Sequence, residues 1–357
     1  MNYDVAFIGT GPEPHNQVWG ESAAMAYRHG WGYQQQDQCA LVSCADLVLE
    51  NARAFADEFD ISGENVYEDY EEMLYETDPD IVSIATPVPT HADIVVDVAE
   101  TAVPDAIHCE KPMAETWGDC QRMAIACDEQ EIQLTFNHQR RFDPQWRAAK
   151  DLLDSGEIGT LERVMIGGKN LFDFGTHLID LCNFYNDECP AEWVLGGIDY
   201  READVRYGSH NENQSVAVWE YDNGVRGFAS TGHVGQAIIG CHNRLVGSEG
   251  IIEVHPYDDD AALRINRFDG EGWEAVLLEE PERTTIGLGI EHIVACLDTN
   301  EKSQLGAENA LRAMEIIFGT YESVRSRGRV EFPLKIEDNP LDAMVESGDL
   351  QPSSTEL

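Results

Sequence analysis

Residues 3–11 read YDVAFIGTG, a short apolar run that ends on Gly9-Thr10-Gly11. The run has the length of a buried strand. The glycines permit a tight turn that lets a pyrophosphate approach the backbone beside a helix N-terminus. The third glycine of a GxGxxG fingerprint is absent: position 14 is Pro, and Gly20 follows only after the inserted PEPHNQVW. Alone, the turn is as compatible with a structural role as with a dinucleotide. Its surroundings decide.

Further strands are predicted at 40–44 (ALVSC), 80–85 (DIVSIA), 105–109 (DAIHC) and 131–136 (EIQLTF). They alternate with helical patterns at about 20–28, 47–57, 69–76, 91–102 and 114–128. Repeated strand and helix units of this kind imply a parallel sheet covered on both faces, here residues 1–139. From about residue 140 the pattern changes. Helices are expected at 144–155, 174–185, 287–297 and 306–326, and strands at 161–166, 193–204, 213–221, 224–232, 241–246, 250–254 and 273–279. Turns such as YDNGVRG at 221–227 argue for an open, mostly antiparallel sheet in an α+β domain over 140–337. Residues 338–357 carry acids, Pro and Ser without apolar periodicity and are expected to form a loosely held acidic tail.

The 357 residues include 23 Lys plus Arg against 67 Asp plus Glu, a formal charge of −44. Such a surface repels phosphate backbones and anionic lipid heads, which disfavours nucleic acid and membranes as partners. Only five of the basic residues are Lys, and none lies before Lys111. Dense carboxylates with few lysines suit molar salt, where the Debye length shrinks to roughly 3 Å, so a halophile's cytoplasm is the expected setting. Nine scattered cysteines without a CxxC pair read as reduced, mostly buried thiols. The N-terminal stretch lacks a basic n-region and a long apolar run, so neither a signal peptide nor a membrane span is expected. No HExxH or paired CxxC occurs, and no metal is expected.

Several motifs sit where ligands bind open α/β sheets, at the carboxyl ends of strands. The second strand ends in Asp46, where an acid binds both ribose hydroxyls and repels a 2′-phosphate, favouring NAD over NADP. The competing reading is an N-cap for the helix starting at Leu47. Thr86-Pro87-Val88-Pro89-Thr90-His91 follows the strand at 80–85, and Glu110-Lys111-Pro112 follows the strand at 105–109. In a chain this poor in Lys, Lys111 at an apolar strand end is a candidate to act on a substrate hydroxyl, or else forms a salt bridge with an acid such as Glu110. In Asp173-Phe174-Gly175-Thr176-His177-Leu178-Ile179-Asp180, helical spacing puts Asp173, His177 and Asp180 on one face. A carboxylate one turn from an imidazole orients it for general base work, although a capped helix with a satisfied histidine fits equally well. His29, His210, His233, His242 and His292 lack a patterned partner and are expected to have no role in the chemistry.

The combination of GTG at 9–11, TPVPTH at 86–91, EKP at 110–112, NHQRRFDP at 137–144, SGEIGTLERV at 155–164, DFGTHLID at 173–180, VGSEGIIEV at 246–254 and the late ENALRAMEIIFGTYESV helix resembles the Gfo/Idh/MocA family of NAD(P)-dependent oxidoreductases. The resemblance covers nearly the whole chain, and EKP followed some sixty residues later by DxGxH is its specific part. It implies an N-terminal Rossmann domain and a C-terminal α+β domain whose open sheet makes a homodimer or homotetramer interface. It implies a catalytic group of Lys111, Asp173 and His177, with Asn137, Arg141 and Asn170 toward the substrate. Gly9, Thr10, Gly11, Asp46, Thr86, Pro87, His91, Glu110 and Lys111 would line the cofactor. The implied reaction is hydride transfer between NAD(P) and a secondary alcohol of a sugar, polyol or inositol, with either His177 or Lys111 as the base. Two alternatives stay open: an enzyme that retains NAD and returns the hydride, as in epimerisation or glycosidic cleavage, and a dinucleotide-binding regulator without turnover. Only six residues separate Ile166 from Asp173, which brings Lys169 and Asn170 close to the expected substrate pocket.

Overall fold

The computed structural model describes residues 2–14, 25–279 and 281–353. Gly20, most of the insertion after Gly11 and the start of the helix expected at 20–28 lie outside the described residues. The chain divides into two compact units: residues 1–115, 119–139 and 282–308 form the first, and 116–118, 140–281 and 309–357 the second.

The first unit alternates β1 (Tyr3–Ile8), α1 (Met25–Gln34), β2 (Cys39–Ala45), α2 (Leu49–Glu58), β3 (Val66–Tyr67), α3 (Tyr70–Thr77), β4 (Ile81–Ile84), α4 (His91–Thr101), β5 (Ala106–Cys109), α5 (Trp117–Glu129) and β6 (Gln133–Phe136). Its six strands run in the order β3-β2-β1-β4-β5-β6, every pairing parallel. Strand order reverses between β1 and β4, and that switch point opens the crevice in which such sheets bind ligands. The central strands are mostly apolar because helices cover both faces. Val5 and Phe7 of β1 pack with Tyr27, Tyr33, Phe55 and Phe59, the Phe7 and Phe55 rings 4.8 Å apart.

The late helix α9 (Thr285–Thr299), expected within the second domain, returns to the first unit. Ile286, Ile290 and Val294 join the same core. Gly32 makes this possible, since a Cβ there would lie 2.5 Å from Ile290 Cδ1.

The second unit contains α6 (Pro144–Asp154), β7 (Leu161–Gly168), α7 (Gly175–Tyr185), β8 (Ala191–Asp199), β9 (Val205–Arg206), β10 (Ser209–His210), β11 (Gln214–Tyr221), β12 (Arg226–Thr231), α8 (Gln236–Ile239), β13 (Cys241–Gly247), β14 (Gly250–Pro256), β15 (Leu263–Arg267), β16 (Trp273–Ala275), most of α10 (Ala307–Ser326), β17 (Val330–Glu331) and α11 (Pro340–Glu346). Nine strands form one mixed sheet, β16-β15-β14-β13-β7-β12-β11-β8-β17. Only β7 and β12 pair in parallel; their neighbours are antiparallel. Burial alternates along β11, with Ala217 and Trp219 inside and Val216 exposed, as a sheet covered on one face requires.

The expected acidic tail is partly a helix. Asn339 accepts the Leu341 N–H at 3.0 Å as a cap for α11, and Leu341 and Met344 are buried. Among the described residues no helix is long and apolar enough to cross a membrane.

Candidate active site

In the first unit, the turn after β1 holds Gly9 at φ +79° and Gly11 at φ +63°, a region that favours glycine. A Cβ on Gly9 would lie 2.4 Å from Thr86 Cγ2, so the turn after β1 touches the turn after β4. Among the described residues, a Cβ on Gly11 would meet nothing within 4 Å. Open space over a positive-φ glycine at the switch point is the cradle that a dinucleotide pyrophosphate requires, and the residues fit that group.

Asp46, expected at a cofactor ribose, is engaged by the backbone and by Thr10. Its Oδ2 accepts from Thr10 N (2.9 Å), Thr10 Oγ1 (3.1 Å) and Gly11 N (2.9 Å), while Oδ1 accepts from Val48 N (2.8 Å). The acid thus pins the glycine turn to the end of β2 and also caps the turn into α2. A carboxylate has about four acceptor positions, so these bonds use most of its capacity but leave its charge in place. Pro87 is exposed beside Thr86, whose Oγ1 accepts the Thr90 hydroxyl at 2.9 Å.

His91 and Glu110, expected beside the cofactor, are drawn into the protein. The His91 ring nitrogens lie 3.0 Å from Pro112 O and 2.9 Å from Thr86 O, so this buried ring ties the two loops together. Glu110 Oε1 lies 2.9 Å from His29 Nε2 and accepts the Asn137 amide at 2.6 Å; Oε2 accepts the Lys111 N–H at 3.2 Å. Burial pushes this carboxyl up, but His29, the Lys111 charge and the Asn137 amide together hold it at about 2. Asn137, expected toward the substrate, is spent on this network.

His29, which lacks a patterned partner in the sequence, meets Glu110, Ser83 Oγ at 2.9 Å and the Asn137 amide at 3.2 Å. His108 Nδ1 lies 3.0 Å from Thr135 Oγ1. Ser83, His108 and Thr135 occupy matched register on β4, β5 and β6, so they form a polar row across the sheet beneath the strand ends. Two residues on, Glu110 and Asn137 extend it. The period-2 polar positions in AIHCE and LTFN were the available signal.

In the second unit, β7 runs on to Gly168, leaving four residues (Lys169–Phe172) before Asp173. Asp173 precedes α7, which begins at Gly175, so it sits in the entering turn and His177 in the helix's first turn. Asp180 lies one turn further along α7. It is gripped by Arg141, whose Nε and Nη2 reach its two carboxylate oxygens at 2.8 and 2.7 Å while Nη1 reaches Glu188 at 2.6 Å. Arg141 and Asp180 are each 1% exposed. Arg141, expected toward the substrate, is therefore a buried structural cation.

The turn carrying Asp173 is held by side chains. Asn170 Oδ1 accepts the Phe174 N–H (2.8 Å), Asn211 Oδ1 the Asp173 N–H (3.0 Å) and Glu212 Oε1 the Leu171 N–H (2.7 Å). Asn170, expected toward the substrate, is the cap of its own turn. Glu212 is fully buried and also accepts from Thr231 Oγ1 (3.0 Å) and Tyr321 Oη (2.6 Å). Burial pushes its carboxyl up to about 7 despite those donors.

A raised folded value means that protonated Glu212 adds stability that is complete below the ordinary carboxylate range and gone once pH passes about 7. The fall is about 3 kcal/mol, at roughly 1.4 kcal/mol per unit. Glu212→Gln keeps an acceptor for Leu171 and has no proton to lose. Urea unfolding at pH 4.5 and pH 7.5 is expected to show that fall in the native chain and not in the variant; parallel pH dependences would refute the assignment.

Comparison with known proteins follows this geometry. Residues 4–138 match the Gfo/Idh/MocA family model, described as an oxidoreductase family with an NAD-binding Rossmann fold. Over 352 residues the chain is 24% identical to D-apiose dehydrogenase of Paraburkholderia graminis, covering 90% of each protein. It is 25% identical to an NADP-named D-xylose 1-dehydrogenase of Haloarcula marismortui, over 84% of this chain and 90% of that one. Levoglucosan dehydrogenase, solved with NADH and levoglucosan, shares the fold with a TM-score of 0.76 at 19% identity, covering 94% of this chain and all of that one. The Rossmann unit thus resembles the Gfo/Idh/MocA oxidoreductases, and relatives named as sugar dehydrogenases align with the chain along most of its length.

Proposed function

We propose that the protein is an NAD-dependent dehydrogenase acting on a secondary alcohol of a sugar or polyol. The glycine turn at the β1/β4 switch point carries the reading, because it supplies a positive-φ cradle for a pyrophosphate beside the strand end that presents Lys111. The relatives named for apiose and xylose support the substrate class. NAD(P), when bound, supplies the hydride acceptor. His177 takes the hydroxyl proton, with Asp173 as its orienting acid, and Lys111 binds the alcohol oxygen and offsets its developing negative charge. Asp46 favours NAD, since its carboxylate at the end of β2 repels a 2′-phosphate. The charge composition further suits a salt-rich cytoplasm, and the resemblance to the family implies a homo-oligomer.

The test is reduction of NAD and NADP by protein purified in molar KCl, across aldoses, polyols, inositols and sugar acids. NAD turnover that falls sharply but stays measurable in Lys111→Met is expected. A faster rate with NADP would overturn the cofactor choice, and full turnover in Lys111→Met would overturn the role given to that residue. Equal stability in dilute buffer would overturn the salt-rich setting.

A further inference from the structure

Arg140 lies in the second unit, in the short turn Gln139–Phe142 that precedes α6. Its guanidinium carbon stands 4.5 Å from the centre of the Phe174 ring and 5.1 Å from that of Trp146. Around these rings stand His242 on β13, His255 on β14 and Tyr257 just beyond it. His242 is 5.3 Å from Phe174 and 5.6 Å from Tyr257, and His255 is 4.8 Å from Trp146. Trp146 Nε1 donates to Asn243 and Tyr257 Oη to Gly167 O, so both rings are fixed in place.

Among the described residues, the arginine's charge has no carboxylate within hydrogen-bond distance. Its Nη1 is enclosed and has no acceptor among the described residues. Arg141, Arg244 and Arg264, by contrast, each grip a carboxylate. In a chain with 67 acids, a guanidinium held by ring faces alone is unusual and costly. Burial lowers its pKa to about 10, although Asp143 and Asp173 act on it in the opposite sense from beyond hydrogen-bond reach. The neighbouring histidines add no counter-charge. Burial first, and then Arg140 itself, push His242 down to about 3 and His255 below its ordinary value, so both rings are neutral. Lys169, exposed at the end of β7, adds a second positive charge near His242. Arg140 as a residue is part-buried and keeps some exposure.

Resting on the dehydrogenase reading above, we propose that Arg140 is the residue that recognises a carboxylate on the substrate, which narrows the substrate class to sugar acids such as aldonates or uronates. Phe174, against which Arg140 stacks, follows Asp173 directly and is three residues before His177. The planar guanidinium matches a carboxylate edge to edge. One such fork beside Asp143 and Asp173 suits a monoanion better than a phosphate dianion.

The test is calorimetric titration of the NAD-loaded protein with D-gluconate, D-glucuronate, D-glucose 6-phosphate and sorbitol, together with turnover of each. Sugar acids are expected to bind about 10- to 100-fold tighter than sorbitol, the worth of one charge-assisted bidentate contact. Arg140→Gln is expected to erase that difference while leaving sorbitol affinity within about threefold. Arg140→Lys keeps the charge without the fork and is expected to fall between; it carries the test should the Gln variant fail to fold. Equal affinities, equal losses for acid and polyol, absence of binding, or preference for the phosphate would each overturn the proposal. Turnover of neutral polyols alone would overturn it and leave the dehydrogenase reading standing. Arginine-dependent binding of sugar acids without reduction of either nucleotide would do the reverse.

Discussion

Replacing His177 by Ala is expected to lower kcat by about 10²- to 10⁴-fold, the range for a lost general acid or base. NAD affinity should stay within about twofold, because the glycine turn, Asp46 and Thr86 all belong to the first unit while His177 belongs to the second. The large effect is expected because α7 places the imidazole in its first turn, buried, and because three side-chain acceptors hold the preceding turn. The pH profile separates His177 from Lys111. If His177 is the base, the acid limb of kcat vanishes in His177→Ala and survives, at reduced amplitude, in Lys111→Met. Full turnover in His177→Ala would refute its role outright, and a limb erased only in Lys111→Met would assign the base to the lysine.

Arg141→Met is expected to cost about 3–5 kcal/mol of folding stability, the range for breaking one side of a buried ion pair. Burial acts to lower the Arg141 pKa, yet Asp180 and Glu188 carry it above its ordinary value, so the charge is held firmly. Removing the guanidinium takes from Asp180, 1% exposed, the cation that grips both its carboxylate oxygens. The double variant Arg141→Met/Asp180→Leu should recover most of the loss, since the penalty lies in the orphaned partner and not in the missing attraction. Urea unfolding of the two variants decides this. Unchanged stability in Arg141→Met would return the residue to the substrate side, and so would a raised KM in a variant of native stability.

Much of the fold is legible in residue order alone. The predicted strands at 3–8, 40–44, 80–85, 105–109 and 131–136 agree with the observed β1, β2, β4, β5 and β6 to within two residues, because each is a short apolar run closed by turn residues. β3 is two residues long and β15 reads LRINR after an acidic loop, so neither offers a run long enough to stand out. Residues 340–346 escaped notice because a short helix held by Leu341 and Met344 shows too few apolar positions for periodicity.

The candidate site divides in the same way. GTG, EKP and DxGxH are legible because each is contiguous, and their chemistry follows from residue type at a strand or helix end. Asn137 and Arg141 lie in NHQRRFDP and Asn170 just before DxGxH, yet each has another task, since Glu110, Asp180 and the Phe174 N–H claim them. Arg140 and Arg141 are adjacent and chemically identical; one is neutralised by two carboxylates and the other is held between two rings.

Residue order thus determined the alternation of strand and helix, the glycine turn, the mixed second sheet and the charge, all of which arise from neighbours a few positions apart. Tertiary structure decided that α9 returns to the first core, that His29 serves Glu110, that Asp46 holds the glycine turn and which arginine is left without a carboxylate. Those outcomes depend on side chains that are dozens to hundreds of positions apart in the chain. A buried charge takes the partner that packing brings within 3 Å of it, and sequence spacing carries no record of that choice.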